Sequence, residues 1–179
     1  MSMLFEQSAR LVAGTPNHFK RFLFDTIKWR SRLIGIKGAR GTGKTTLALQ
    51  WMKQQGLSAE KAVYFSLDDL YFTKNSLKET AAAFYQQGGK ILVLDEVHKY
   101  KKWRGLLKGY YDKYHPELNF LVTRSARLDY FRKGGDSLVG MYHYLRLHPF
   151  SLMEINSNPN SKDLAALLKF GGFPEPFLK

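Results

Sequence analysis

Short apolar runs alternate along the chain with longer amphipathic stretches. The runs "RLIGIKG", "AVYFSL", "KILVLDE", "LNFLVT" and "MYHYLRLHPF" have the length and β-branched or aromatic content of strands. "KILVLDE" is apolar at consecutive positions, the pattern of a strand covered on both faces. Between the runs, "TTLALQWMKQQG", "SLKETAAAFYQQGG", "WRGLLKGYYDKYH" and "SKDLAALLKFGG" repeat apolar residues at helical spacing. Gly56 and Gly88 suit helix ends, and Ser76 with Glu79 three residues on forms a capping box. "SARLDYFRKGG" reads as a short helix or loop. The segment up to about Trp29 reads as helical, with a helix start at Pro16 and Asn17 ahead of Phe19, Phe22, Leu23 and Ile27. Strands alternating with helices predict an α/β fold: a parallel sheet between helical layers.

Composition narrows the picture only in places. The 179 residues, 44% hydrophobic and 15% aromatic, suffice for one packed domain. No apolar run reaches the roughly 18 residues of a spanning helix, so no membrane partner is expected. "MSMLFEQSAR" lacks the basic and apolar blocks of a signal peptide. The absence of cysteine excludes disulfides and thiolate metal sites, and a cytoplasmic location is expected. The net charge of +13 is the unusual bulk quantity; it favours polyanionic partners, such as nucleic acid, acidic proteins, anionic surfaces or nucleotide phosphates.

The chemistry starts at "GARGTGKTT", residues 38–46, between the first strand and a helix. It satisfies G-x-x-x-x-G-K-[ST] at every fixed position. Backbone N–H groups of such a loop curl around phosphate oxygens. Glycine permits the backbone angles, and the helix start adds its positive dipole end. The stretch Gly38, Ala39, Arg40, Gly41, Thr42, Gly43, Lys44, Thr45 and Thr46 is therefore the expected nucleotide-binding segment. Lys44 would place its charge on the terminal phosphates, and the Thr45 hydroxyl would ligate Mg²⁺. The side chains of Arg40 and Thr42 carry no required chemistry and are expected to be exposed. Thr46 is expected to pack against or bond to the next helical turn.

Roughly fifty residues on, "ILVLDE" ends a buried strand in two carboxylates. The carboxyl edge of a parallel sheet is where ligands bind. Asp95 would complete the Mg²⁺ shell, and Glu96 would orient or deprotonate the attacking water. His98 nearby is expected to be a structural hydrogen-bonder. Asp68 and Asp69 follow the second strand and are expected to form a turn or cap. "HKYKKWRGLLKGYYDKYH" interleaves basic and aromatic residues, as nucleic-acid binders do. Trp103, Leu106, Leu107, Tyr110, Tyr111 and Tyr114 also recur at helical spacing, which favours an amphipathic helix with solvated lysines.

With the phosphate loop, "ILVLDEVHK", "LVTRSARL", "SLVG" and "LHPFSLMEI" in this order, nearly the whole chain resembles the AAA-like prokaryotic P-loop ATPases that carry a C-terminal nuclease-like domain of unknown function. The resemblance implies a three-layer α/β/α sandwich with a five-stranded parallel sheet of order 5-1-4-3-2, ATP and Mg²⁺ as ligands, and possible self-association. It assigns residues 1–170 to the ATPase domain, with 1–30 as an N-terminal helical segment, and 171–179 ("GGFPEPFLK") to a hinge before a C-terminal effector. It also implies a catalytic set of Lys44, Glu96 and a polar sensor at the end of the fourth strand, for which Thr123 and Ser125 are candidates. Two motifs depart from the family. Thr123-Arg124-Ser125-Ala126 stands where T-G-S-S is usual, and Ser137-Leu138-Val139-Gly140-Met141 where S-L-x-G-R is usual. Met141 cannot supply the transition-state charge of a guanidinium; Arg124, Arg127 and Arg132 are the other arginines of the region. The expected activity is thus ATP hydrolysis, slow in isolation, driving a C-terminal effector. A nucleotide sensor with little turnover and a small-molecule kinase are the alternatives, and ATP is not separated from GTP by any base-reading motif.

Overall fold

A computed structural model describes residues 2–114, 116–125 and 143–178. The chain opens with α1 (Ser2–Gly14) and the short α2 (Phe22–Thr26). Then come β1 (Leu33–Gly38), α3 (Lys44–Gln55), β2 (Ala62–Ser66), α4 (Tyr71–Lys74), α5 (Leu77–Gln86) and β3 (Ile91–Asp95). A 3-10 turn at Val97–Lys99 leads to α6 (Trp103–Lys113) and β4 (Asn119–Ser125). The last elements are β5 (His143–Arg146), α7 (Leu152–Ile155), α8 (Ser161–Phe170) and α9 (Glu175–Leu178).

The five strands form one parallel sheet in the order β2-β3-β4-β1-β5, as the resemblance implied. Parallel neighbours need crossovers, and the intervening helices supply them. Strand alternation sends residues to two cores. Leu33, Val63, Phe65, Leu92, Leu94, Phe120 and Val122 meet Leu77 and Phe84 of α5 and Leu107 and Tyr110 of α6. Ile34, Ile36, Tyr64, Val93 and Leu121 meet Phe24 of α2 and Leu47, Ala48 and Trp51 of α3 on the other face. Both faces are covered, which is why these strands are apolar throughout.

The N-terminal segment is helical, but not where Pro16 and Asn17 pointed. Residues 15–21 are not helical, because tertiary bonds claim their backbone: the Gln50 side-chain amide donates to Pro16 O (2.8 Å) and Phe19 O (2.7 Å). α1 instead lies along β2, where Ser8 Oγ accepts from Tyr64 N (2.8 Å) and covers part of that edge strand. Ser76 caps α5, its hydroxyl accepting from Glu79 N (3.4 Å), which is one half of the expected capping box, and Gly56 closes α3 at φ 62°. α6 forms despite Gly105 and Gly109. Its buried Leu107 and Tyr110, with Tyr114 beyond its end, hold it on the sheet and leave Lys101, Lys102, Lys108 and Lys113 exposed. "SARLDYFRKGG" beyond Ser125, with Arg127 and Arg132, lies outside the described residues, and so does Met141. The Gly/Pro-rich close of the chain folds back on the body: Phe150 N donates to Gly172 O (2.5 Å).

Candidate phosphate-binding site

β1 delivers the chain to the carboxyl edge of the sheet at Gly38. The register places Gly38 beside Ser125 of β4 and Ser66 beside Asp95 of β3, so four strand ends meet at that edge. A side chain at 38 has no room: a Cβ would stand 2.4 Å from the Leu147 carbonyl oxygen and 2.9 Å from Thr42 Oγ1. Gly43, at φ 90°, begins α3 with a left-handed turn that L side chains rarely adopt. The loop is also braced from inside, since Thr42 Oγ1 donates to Ala39 O (2.9 Å). Thr42 is therefore fully buried, against the expected exposure, because this bond turns its hydroxyl inward. Arg40 is exposed as expected. Thr46 is also exposed rather than packed, since it falls on the solvent side of the first turn of α3.

Lys44 is buried, and its Nζ donates to Ala39 O (2.9 Å) across the loop. Burial pulls its pKa below the usual lysine value, and the Glu96 and Asp95 carboxylates pull against that. Thr45 Oγ1 donates to Asp95 Oδ2 (2.7 Å), so the hydroxyl and carboxylate expected to share a cation meet in space. The set is hard oxygen, which suits Mg²⁺. Among the described residues, no group of three or more His, Cys, Asp or Glu side chains could hold a metal ion.

Asp95 is buried and held from three sides. Besides Thr45, Tyr64 OH donates to Oδ2 (2.8 Å) and Thr123 Oγ1 donates to Oδ1. Burial comes first in raising the Tyr64 pKa, followed by the Asp95 charge, so the phenol stays a donor. Glu96 sits at φ 53°, the non-glycine residue with a left-handed backbone among those described. Such strain persists where surrounding contacts hold it. Here Glu96 N donates to Thr123 Oγ1 (3.1 Å), and Ser125 Oγ donates to Glu96 Oε2 (3.2 Å). Thr123 is fully buried with its hydroxyl committed to Asp95 and Glu96 N, so it orients the acidic pair. Ser125, two residues on and on the same strand face, is the half-buried hydroxyl beside Glu96.

His98 Nδ1 lies 3.2 Å from Glu96 Oε2 without hydrogen-bond geometry, and burial lowers its pKa despite that carboxylate. It stands against Glu96 as a neutral imidazole near neutral pH. Asp69 Oδ1 accepts from Tyr71 N (2.8 Å), the turn role expected of it, and Asp68 pairs with Lys99 Nζ (3.1 Å) on the surface. Arg124 points away from Glu96: alternation puts it on the opposite strand face from Thr123 and Ser125, where it bonds to Tyr144 OH and lies over that ring.

Two residues of the site carried no sequence signal strong enough to find them. Tyr64 is a polar tip in an otherwise apolar strand, a faint hint. Arg21 has no motif, yet its buried guanidinium donates to Thr42 O (2.7 Å) from behind the loop.

A family model described as an AAA domain matches residues 30–156. AMPPCP-bound DnaA from Aquifex aeolicus is similar in structure, with TM-score 0.56 and 16% identity over 98% of this chain and 59% of that one. The Aeropyrum pernix ORC1 protein in complex with DNA gives TM-score 0.56 and 15% identity over 99% of this chain and 57% of that one. The replication initiator DnaA bound to AMPPCP and single-stranded DNA gives TM-score 0.55 and 16% identity, over 94% of this chain and 61% of that one. At such identities the likeness is one of fold, and this chain spans less than two thirds of each of those chains. No curated protein matches the sequence.

Proposed function

The chain belongs to the AAA domain family, a nucleotide-binding P-loop ATPase module, and from that premise we propose that it binds ATP with Mg²⁺ and hydrolyses it slowly. The carrying observation is the contact of Thr45 with Asp95 beside the loop, with Glu96 next in line. Bound Mg²⁺ would neutralise charge on the phosphate oxygens. Lys44 would leave Ala39 O for the terminal phosphates. Glu96, aimed by its strained backbone and by Ser125, would accept the proton of the water attacking the γ-phosphorus. Thr123 and Tyr64 would keep Asp95 oriented. The expected sensor role passes to Ser125 rather than Thr123, since Ser125 faces Glu96 and Thr123 is committed to Asp95.

The expectation of slow turnover rests on Arg124 and Met141; Arg127 and Arg132 lie outside the described residues. Arg124 faces the other side of the sheet, and the sequence has Met141 where the resembling family has arginine. A missing transition-state arginine costs about 10³–10⁵ in turnover elsewhere. The decisive experiment compares the native protein with K44A and E96Q. Calorimetry should show Mg-ATP binding lost in K44A and kept in E96Q, and phosphate release should fall by about 10² or more in E96Q, the scale of a lost general base. Fast hydrolysis by this chain, unaffected by E96Q, would sink the reading. A phosphorylated small molecule among the products would favour the kinase alternative, and equal competition by GTP would remove the preference for adenine.

An effector is proposed to read the nucleotide state through the C-terminal elements. α8 buries none of its residues and exposes Leu164, Leu168 and Phe170, and α7 exposes Met153. Phe173, two residues past α8 and its Gly171 cap, reaches the loop: a methyl on Gly41 would lie 3.6 Å from its ring. This face therefore joins the phosphate loop to a surface suited to an apolar partner domain.

A further inference from the structure

Arg21 stands outside every motif, yet it is among the most fully engaged side chains of the molecule. Its Nε donates to Glu154 Oε1 (2.8 Å) and its Nη2 to Glu154 Oε2 (3.1 Å). Nη2 also donates to His148 O (2.7 Å) and Pro149 O (3.3 Å). Nη1 donates to Thr42 O (2.7 Å), and the guanidinium lies over the Phe150 ring, 4.7 Å from its centroid. Both partners of the ion pair have side chains only 7% exposed. Glu154 is anchored in turn by the N–H groups of Phe22 and Ser151, each at 3.0 Å.

The acceptor on the phosphate loop carries the consequence. A trans peptide is planar, with its C=O and N–H pointing in opposite directions. Thr42 O and Gly43 N–H belong to one peptide unit. Glycine at 43 makes rotation of that unit inexpensive, so the loop needs an outside restraint to hold it one way. We propose that Arg21 is a positioning residue for phosphate binding. By holding Thr42 O on the outer side of the loop, it keeps Gly43 N–H facing the phosphate cradle before nucleotide arrives. Glu154 keeps the guanidinium in place, which couples α7 to the donor geometry of the loop. Lysine cannot reproduce this, because one ammonium does not span Thr42 O, His148 O and a bidentate carboxylate in a rigid plane.

The proposal rests on the nucleotide reading, and the test separates the two. Removing Arg21 alone would strand a buried carboxylate. The main variant is therefore R21M/E154Q, which discharges the pair and keeps an amide oxygen for one of the Phe22 and Ser151 N–H groups, which bond different oxygens of Glu154. Calorimetry with Mg-ATP is combined with the ¹⁵N–¹H shift of Gly43 on adding nucleotide, a signal that a merely structural role for Arg21 would leave intact. The expected result is a cooperatively folded variant that binds Mg-ATP at least tenfold more weakly, with the Gly43 shift largely lost. R21K should fall between it and the native protein. Affinity within twofold of native together with an unchanged Gly43 response overturns the proposal. If R21M/E154Q does not fold, R21K decides on the same two readouts: native behaviour overturns, weakened binding with a reduced Gly43 shift supports. Failure of the native protein to bind Mg-ATP removes the nucleotide reading, and this proposal with it. Native binding that K44A abolishes and R21M/E154Q leaves intact removes this proposal alone.

Discussion

The polar groups around Asp95 act on it from different sides, and substitution separates their effects. Y64F deletes a buried donor to the carboxylate while keeping the ring in the core. It should cost about 1.5–3 kcal/mol in stability, the usual range for a bond to a charged group, and should raise the Mg²⁺ concentration needed for nucleotide binding; chemical denaturation and a Mg²⁺ titration check the two halves. S125A leaves Asp95 untouched, so it should lower turnover with little change in Mg-ATP affinity. G38A meets the Leu147 carbonyl at 2.4 Å. That strand cannot retreat, because Leu147 N donates to Lys37 O (2.7 Å). An overpacking cost of about 3 kcal/mol follows, visible as a lower thermal midpoint. At this scale Gly38, Gly43, Lys44, Thr45, Asp95 and Glu96 were legible because each is demanded by local chemistry at fixed spacing. Tyr64 and Arg21 were not, because each acts through a bond to an element remote in sequence; the inward turn of Thr42 was not, because its bond to Ala39 O forms only once the loop has curled.

Among the elements, α7 shows how a short helix can matter to the site. Its Glu154 is both the capping-box residue for Ser151 and the partner of Arg21. Burial pushes the Glu154 pKa up, but the Arg21 bond and the Ser151 and Phe22 N–H groups outweigh it, and the net shift is downward. A carboxylate with a folded pKa below its unfolded value stabilises the fold above the unfolded value, about 4.3 for glutamate, and that stabilisation is lost as pH falls through the folded value. The thermal midpoint of the native protein should therefore exceed that of E154Q by a constant margin near neutral pH. The margin should shrink below about pH 4.3. A margin independent of pH would mean that the charge on Glu154 contributes nothing. The helix start expected at Pro16 failed at this scale too: Gln50 on α3 takes the carbonyls of Pro16 and Phe19, and no local pattern announces that competition.

For the molecule as a whole, the charge of +13 is the property still without a structural owner. The basic and aromatic stretch around α6 divides cleanly: Leu107, Tyr110 and Tyr114 enter the core, and the lysines stay in solvent. Stacking of bases on those tyrosines is thereby excluded, but phosphate contact by lysine is not. If nucleic acid is a partner, binding should be weak in sequence preference, and log affinity should fall linearly with log salt at a slope near −0.9 per phosphate neutralised on duplex. Fluorescence anisotropy across a salt series checks this, and a flat series would remove nucleic acid from consideration. Among the described residues, no helix is long and apolar enough to cross a membrane.

Sequence by itself determined the layered fold, the strand order through resemblance, and the candidate site set of loop, hydroxyl and carboxylates. It could do so because phosphate binding at a strand-to-helix turn forces particular residues into adjacent positions, and buried parallel strands force continuous apolar runs. Tertiary structure alone decided which groups hold those residues in aim. The parallel register set Asp95 beside Thr123 and Tyr64, strand alternation turned Arg124 away from Glu96, and the return of α7 brought Glu154 to Arg21 and Arg21 to the back of the loop. Hydrogen bonds between residues more than a hundred positions apart leave no periodicity to read; they exist only once the sheet has fixed where each strand ends.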